Sequence, residues 1–182
     1  MDSSMTERRF PDLTDRLDIH PSAYISPHAY VHGTVAIGPD SSVWPMVVIR
    51  GDKGVITIGA RTNVQDGSIL HVGSSRLAGG DGIPCIVGEE CSVGHGVILH
   101  ACTVGRRCLI GMGAILMDGA VLGDEVIVGA GALVTPGTKL PSRTLWVGSP
   151  ARLRRALDAK EIAFLAESAA HYVELKNEYL GK

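Results

Sequence analysis

Three histidines, His71, His95 and His100, sit in a chain whose repeat has no structural need of imidazole. Imidazole nitrogens are the commonest protein ligands for zinc and serve several other divalent metals. Three neutral imidazoles on one zinc leave a fourth position open for water, the layout of a catalytic rather than a structural site. A water bound there has its pKa brought down to about 7. Polar groups of the right kind lie near them in sequence: Arg50 and Asp52, then Gln65 and Asp66. His28 and His32 read as ordinary outward-facing surface histidines.

What must position these groups is a beat of apolar residues about six apart. It runs through Ile19, Ile25, Val31, Ile37, Val43 and Ile49, then, after a three-residue excess, Ile58, Val64 and Leu70. An insertion over roughly 72–86 interrupts it. It returns at Val87, Val93, Leu99, Val104, Ile110, Leu116, Leu122, Val128, Val134 and Leu140. Helices space apolar residues at three and four, and half-buried strands at two, so neither fits. A hexapeptide period is the mark of a parallel β-helix, with one short strand and one corner per hexad and three hexads per triangular coil. The beat residue and the small residue two before it point inward. Cys91 and Cys108 occupy that small slot, and the four cysteines lack C-x-x-C spacing, so they read as buried core thiols. From Pro150 the pattern changes. Asp158-Ala159-Lys160-Glu161 is a capping box, and Ile162, Leu165, Ala166, Ala169, Val173 and Tyr179 recur at helical spacing. The expectation is an all-β solenoid over 19–149, preceded by a polar tail, 1–18. A connector and one helix at about 158–180, within 150–182, would lie against the solenoid.

Phase then places the chemistry. Leu70 and Leu99 fall on the same face one coil apart, so His71 and His100 stack at about 4.8 Å. Ile49 lies on that face one coil earlier, which puts Arg50 below His71; a buried Arg beside carboxylates should be paired. Asp66 has the phase of His95, one coil earlier. His95 itself follows Val93 by two and falls at a different corner, too far round the triangle to join the other two within one chain. A neighbouring subunit of a cyclic trimer brings it there.

The bulk numbers exclude several classes. With 182 residues and a formal net charge of −2, the chain shows no basic run for nucleic acid. No stretch is long and apolar enough for a membrane span, and Met1–Asp18 has no signal-peptide core, so the expectation is a cytoplasmic protein. Aromatics are only 4%, as expected of a core filled by Val, Ile and Leu.

The assembled motifs resemble the γ-class carbonic anhydrase family: Ile49-Arg50-Gly51-Asp52, Asn63-Val64-Gln65-Asp66, His71, Gly94-His95, Leu99-His100 and Gly148-Ser149-Pro150-Ala151. The resemblance runs from about Ile19 to the C-terminal helix. It implies a left-handed β-helix and a homotrimer with metal sites at subunit interfaces. Zinc is the implied metal, with iron(II) or cobalt as alternatives, and the implied reaction is reversible hydration of carbon dioxide to bicarbonate. His71 and His100 would bind metal from one subunit and His95 from the next. Arg50 and Asp52 would form an intersubunit ion pair. Gln65 would contact metal-bound solvent, Asp66 would stand near the substrate pocket, and Tyr172 would approach the site from the helix. One departure implies low activity: residues 73–84 carry a single acid, Asp81, where the well-studied active form has a glutamate proton shuttle. Two other readings use the same scaffold, an acyl-CoA thioesterase or acyltransferase and a non-catalytic, metal-stabilised trimer.

Overall fold

The computed structural model describes residues 16–74 and 82–182. The hexapeptide beat becomes a parallel β-helix. Val43, Ile49, Val64, Leu70, Val93, Leu99, Ile110, Leu116 and Val128 are 0% exposed. Each such aliphatic side chain contributes about 1.5–3 kcal/mol when fully buried. All four cysteines are free and buried in the small-residue slots. Burial raises the Cys91 thiol well above its ordinary pKa, as do the neighbouring Cys85 thiol and burial for Cys102. They are inert packing groups at neutral pH.

Strands stack in parallel with corresponding hexads one coil apart. The described strands form two hydrogen-bonded sets, of eleven and eight. The larger set joins two faces of the triangle because one strand, Val48–Ile58, continues across a corner. Its first residues pair with Ile69–His71 and its last with Cys85–Val87. The three-residue excess in the beat is taken up there. Gly33 pairs with Gly51 but Thr34 pairs with Val55, so Asp52-Lys53-Gly54 bulges out of the ladder. The insertion after Val72 is closed at its base by the antiparallel bridge Gly73–Ile83; Asp81 and residues 1–15 lie outside the described residues.

Each face carries an outward ladder whose composition reports its surroundings. The first reads Ala36, Thr57, Ile86, Thr103, Val121, Lys139, a mixed surface. The second reads Ser42, Asn63, Ser92, then Leu109, Ile127, Leu145. Its three polar rungs are buried under the C-terminal helix, where Ser92 Oγ meets Ser168 Oγ at 2.9 Å. The third reads Val48, Ile69, Ile98, Ile115, Leu133, aliphatic throughout, with Ile69 41% exposed.

The helix spans Ala159–Tyr179, with Asp158 as N-cap and the capping box formed in both directions. Arg155 and the Asp158 backbone N–H both bind the Glu161 carboxylate, holding its pKa down at about 2. Leu165 and Ala169 are buried, but Ala166 faces solvent. The stripe is completed by Lys176, only 1% exposed, whose ammonium lies 3.0 Å from Asp40. A charged residue takes a core position because its partner waits on the solenoid corner. Before the helix, Arg152–Ala156 pairs antiparallel with Thr144–Val147, a closing hairpin that the apolar period did not announce.

One corner is built differently from the others. Asp40, Arg61, Glu90, Arg107, Glu125 and Arg143 each lie three residues past a beat residue, one per coil, all at φ between 51° and 60°. Their signs alternate up the stack. Arg61 pairs with Glu90 at 2.7 Å, and Glu125 takes Arg107 at 2.6 Å and Arg143 at 2.7 Å. Positive φ costs a non-glycine residue of order 1 kcal/mol or more, so something must offset it. The ladder does so, and fixes the coil register as well. The Arg143 and Arg107 hydrogen bonds outweigh burial and hold the Glu125 carboxyl below its ordinary pKa of 4.5. Its contribution is therefore full above that value and is lost as pH falls through and below it. Glu125→Ala should lower stability by about 1–3 kcal/mol at pH 7, read from urea unfolding. The variant should also lose less stability than the parent between about pH 5 and pH 3.

Candidate metal centre

The coil register brings His71 and His100 together: Leu70 pairs with Leu99 and His71 with His100. Both imidazoles stand on the aliphatic third face, half-buried, with ring centroids 5.2 Å apart. His71 Nδ1 and His100 Nε2 face each other across 3.2 Å. The far nitrogen of each ring is held by a carboxylate from an adjacent coil. His71 Nε2 donates to Asp52 Oδ1 at 3.2 Å, and His100 Nδ1 to Asp118 Oδ1 at 2.6 Å. A carboxylate accepts, so those nitrogens carry the N–H. A neutral ring has one N–H, which leaves two bare lone pairs pointing at each other. That contact is repulsive unless a cation or a shared proton lies between. The gap also suits a metal: two nitrogens on a tetrahedral zinc at 2.0–2.1 Å are about 3.3 Å apart.

Electrostatics keep the pair ready. Burial and the Arg50 charge hold the His71 imidazole below its ordinary pKa, with Asp52 opposing. His71 is therefore neutral at pH 7, as a metal ligand must be. Burial alone would raise Asp52, but hydrogen bonds from Arg50 and His71 win and hold it low, so it is ionised. Arg50 pairs with Asp52 inside a single chain, since residues i and i+2 share a strand face. The Arg50 side chain is 45% exposed in the single chain.

The remaining sequence candidates lie elsewhere. Asp66 and His95 stack in phase at the corner after the second face, with Asp66 Oδ2 3.1 Å from His95 Nδ1. His95 thus also has one ring nitrogen close to an aspartate, though without the hydrogen bond that His71 and His100 make. Asp66 and His95 are both half-exposed, and no hydrogen bond or ion pair among the described residues links them to the His71–His100 pair. No group of three or more His, Cys, Asp or Glu placed to hold a metal occurs among the described residues of the single chain. Gln65 is nearly buried, and its Nε2 donates to Asn63 Oδ1 at 3.0 Å. The orientation follows from Asn63, whose Nδ2 faces the Cys91 carbonyl, which can only accept, and Ser92 Oγ. Tyr172 reaches this corner from the helix, packing edge-on against Trp44 at 5.9 Å. Burial and the nearby Asp66 charge raise its phenol, which stays protonated.

Two residues escaped the sequence reading. Asn63 stood in a quoted motif without a role. Asp118 lies two past Leu116, the beat residue stacked on Leu99, one residue beyond Met117, which is the position in phase with His100.

Known proteins share this arrangement of chain. Residues 101–136 match the family described as bacterial transferase hexapeptide (six repeats). Protein YrdA of Escherichia coli strain K12 is 46% identical over 171 residues, 94% of this chain and 90% of that protein. The chain belongs to the γ-class carbonic anhydrase-like family of hexapeptide-repeat proteins. Gamma carbonic anhydrase 1, mitochondrial, of Arabidopsis thaliana is 44% identical over 86% of this chain. The chain spans only 57% of the length of that relative. A hexapeptide transferase family protein from Anaplasma phagocytophilum superposes with a TM-score of 0.83 at 36% identity, covering 90% of this chain and 92% of its own. The fold is accordingly the left-handed parallel β-helix. No described helix is long and apolar enough to cross a membrane.

The bulge that carries Asp52 depends on two glycines. A Cβ on Gly51 would lie 2.6 Å from the Thr34 carbonyl oxygen, and one on Gly33 would lie 2.4 Å from the Gly51 backbone. Gly51→Ala should therefore cost about 1–3 kcal/mol in urea unfolding, because backbone rather than a mobile side chain must yield.

Proposed function

We propose that the protein is a metal-dependent carbonic anhydrase of γ-class type that catalyses reversible hydration of carbon dioxide. It would act as a homotrimer with one site at each subunit boundary. The observation that carries this is the pair of lone-pair nitrogens, His71 Nδ1 and His100 Nε2, 3.2 Å apart with each far nitrogen on an aspartate. His71 and His100 would hold the metal from one subunit and His95, through its free Nε2, from the next. When bound, zinc supplies a Lewis acid that makes water nucleophilic near neutral pH. Iron(II) or cobalt suits the same donors, since affinity order alone does not select the metal.

Three features favour a second copy at this place. The aliphatic ladder Val48, Ile69, Ile98, Ile115, Leu133 flanks the histidine pair, and Ile69 is 41% exposed in the single chain. Large uncovered apolar stripes of this kind are subunit interfaces in soluble proteins. His95 projects from a corner between Gly94 and Gly96, and a Cβ on Gly96 would meet nothing within 4 Å. The corner is thus free to enter another molecule. Lastly, the His95 and Asp66 side chains are half-exposed in the single chain, open to a neighbouring copy.

The chain's own residues then divide the work. Asp52, Asp66 and Asp118 orient the imidazoles. The Gln65 amide, its Nε2 taken by Asn63, keeps its oxygen as an acceptor. The Tyr172 phenol stays a hydrogen-bond donor next to Asp66. With no glutamate in residues 73–84, proton export falls to Asp66 or to buffer, which sets a low turnover. The transferase name of the matched repeat family keeps acyl-CoA chemistry as the second reading. Hydrolysis of, or transfer from, an acyl-CoA panel by metal-loaded protein tests it.

The shared site has a direct assay. His95→Ala alone and His71→Ala alone should each lose metal. Co-assembled in equal amounts they should regain about a quarter of the parent's metal and carbon dioxide hydration rate, because one boundary in four then carries all three histidines. Stopped-flow hydration and metal content per chain read this. No recovery in mixed assemblies would remove the cross-subunit site, and a metal-loaded parent with no rate above buffer would remove the reaction.

A further inference from the structure

We infer that Asp118 is a positioning residue for the metal, fixing His100 so that Nε2 rather than Nδ1 is its ligand nitrogen. The inference rests on the proposed metal site. Its first ground is geometry. His100 Nδ1 to Asp118 Oδ1, at 2.6 Å, is the shortest of the three imidazole–carboxylate contacts, against 3.2 Å for Asp52 on His71 and 3.1 Å for Asp66 on His95. The second ground is the mounting of the carboxylate. Asp118 stands at a corner tied to the coils on both sides: the Gly119 N–H donates to the Ala101 carbonyl at 2.7 Å, and the Gly137 N–H to the Asp118 carbonyl at 2.9 Å. Asp118 is therefore delivered by backbone that the solenoid holds, not by a loop free to choose a partner.

The third ground is charge. Asp52 already has Arg50 as a counter-ion, while His100 is the one side-chain partner of Asp118 among the described residues. The four groups form a column over successive coils: Asp52, His71, His100, Asp118. A dication between the two rings sits between two carboxylates, one neutralised by Arg50 and one not. Asp118 thus adds both orientation and uncompensated negative charge to the histidine it holds. Outer carboxylates of this kind fix the tautomer and raise the basicity of a ligand histidine, and losing one weakens metal binding by about 10–100-fold. A surface salt bridge with no bearing on metal would leave affinity untouched.

The test is competition of zinc(II) and cobalt(II) between the metal-free trimer and a chromogenic chelator, with the cobalt visible spectrum recorded. Asp118→Ala and Asp118→Ser, neither able to reach the ring, should bind zinc about 10–100-fold more weakly than the parent and shift the cobalt bands. Their metal-free unfolding midpoints should match the parent's, because Asp118 is 43% exposed. Asp118→Asn, which can still accept from Nδ1 but carries no charge, should recover part of the affinity. Whichever of the two truncations folds decides the matter. If it holds zinc as tightly as the parent, the inference falls and the metal site stands. If the parent itself takes up neither ion, the proposed function falls and this inference with it.

Discussion

The structure depends on one spacing, the strand-to-strand rise of a stacked coil. In a β-helix that spacing turns an offset in sequence into contact in space. His71 and His100 are 29 residues apart, yet they are neighbours because an insertion and three hexads bring Leu70 and Leu99 into register. The same rise sets Asp66 beneath His95 and Asp52 beside His71. A donor pair at the separation a tetrahedral ion needs is a consequence of stacking, and side-chain packing has only to choose which nitrogen faces inward. That choice is left to aspartates, each reaching from the next coil.

Such a design is sensitive to register, and the charged corner addresses this. An apolar core of Val, Ile and Leu tolerates exchange of one aliphatic rung for another, so the beat alone is a weak guard against slipping a coil. Alternating Arg and Glu at one corner is a stronger one, because a slip by one coil places like charges together. The corner is also where the backbone sits at positive φ without glycine. The alternative, glycine at every corner, would ease the turn but carry no registering information. Local strain at six positions is thus exchanged for a defined stack, and the histidine column inherits that definition.

Much of this was legible in the sequence. A six-residue beat yields a solenoid with little ambiguity, because inward positions repeat regardless of what faces out. Phase along the beat sufficed to stack His71 on His100 and Asp66 on His95. The capping box at Asp158 placed the helix start correctly, since it is a local hydrogen-bond pattern. What failed to show depended on partners from distant sequence. Lys176 reads as a solvent residue until Asp40 is found opposite it. Arg152–Ala156, rich in arginine and exposed throughout, declares itself as a strand only against Thr144–Val147. Asp118 was hidden because it lies one residue out of phase with His100 and reaches back a coil.

The outward ladders carry the argument one step further. One face is sheltered by the chain's own helix, and its polar rungs are satisfied there by Asn63, Ser92 and Ser168. Another is mixed and suits water. The third is aliphatic, exposes Ile69, and carries the His71–His100 pair, half of the proposed metal site. Two imidazoles alone are a weak chelate, and burying that ladder alone is a generic association. Joined through a third histidine from another copy, each makes the other specific. Metal that binds only the assembled form stabilises it by mass action, and assembly tightens the metal by the same factor. In the proposed trimer, the apolar stripe and the unfinished donor set would therefore act as a single feature, with subunit contact and metal affinity in one equilibrium.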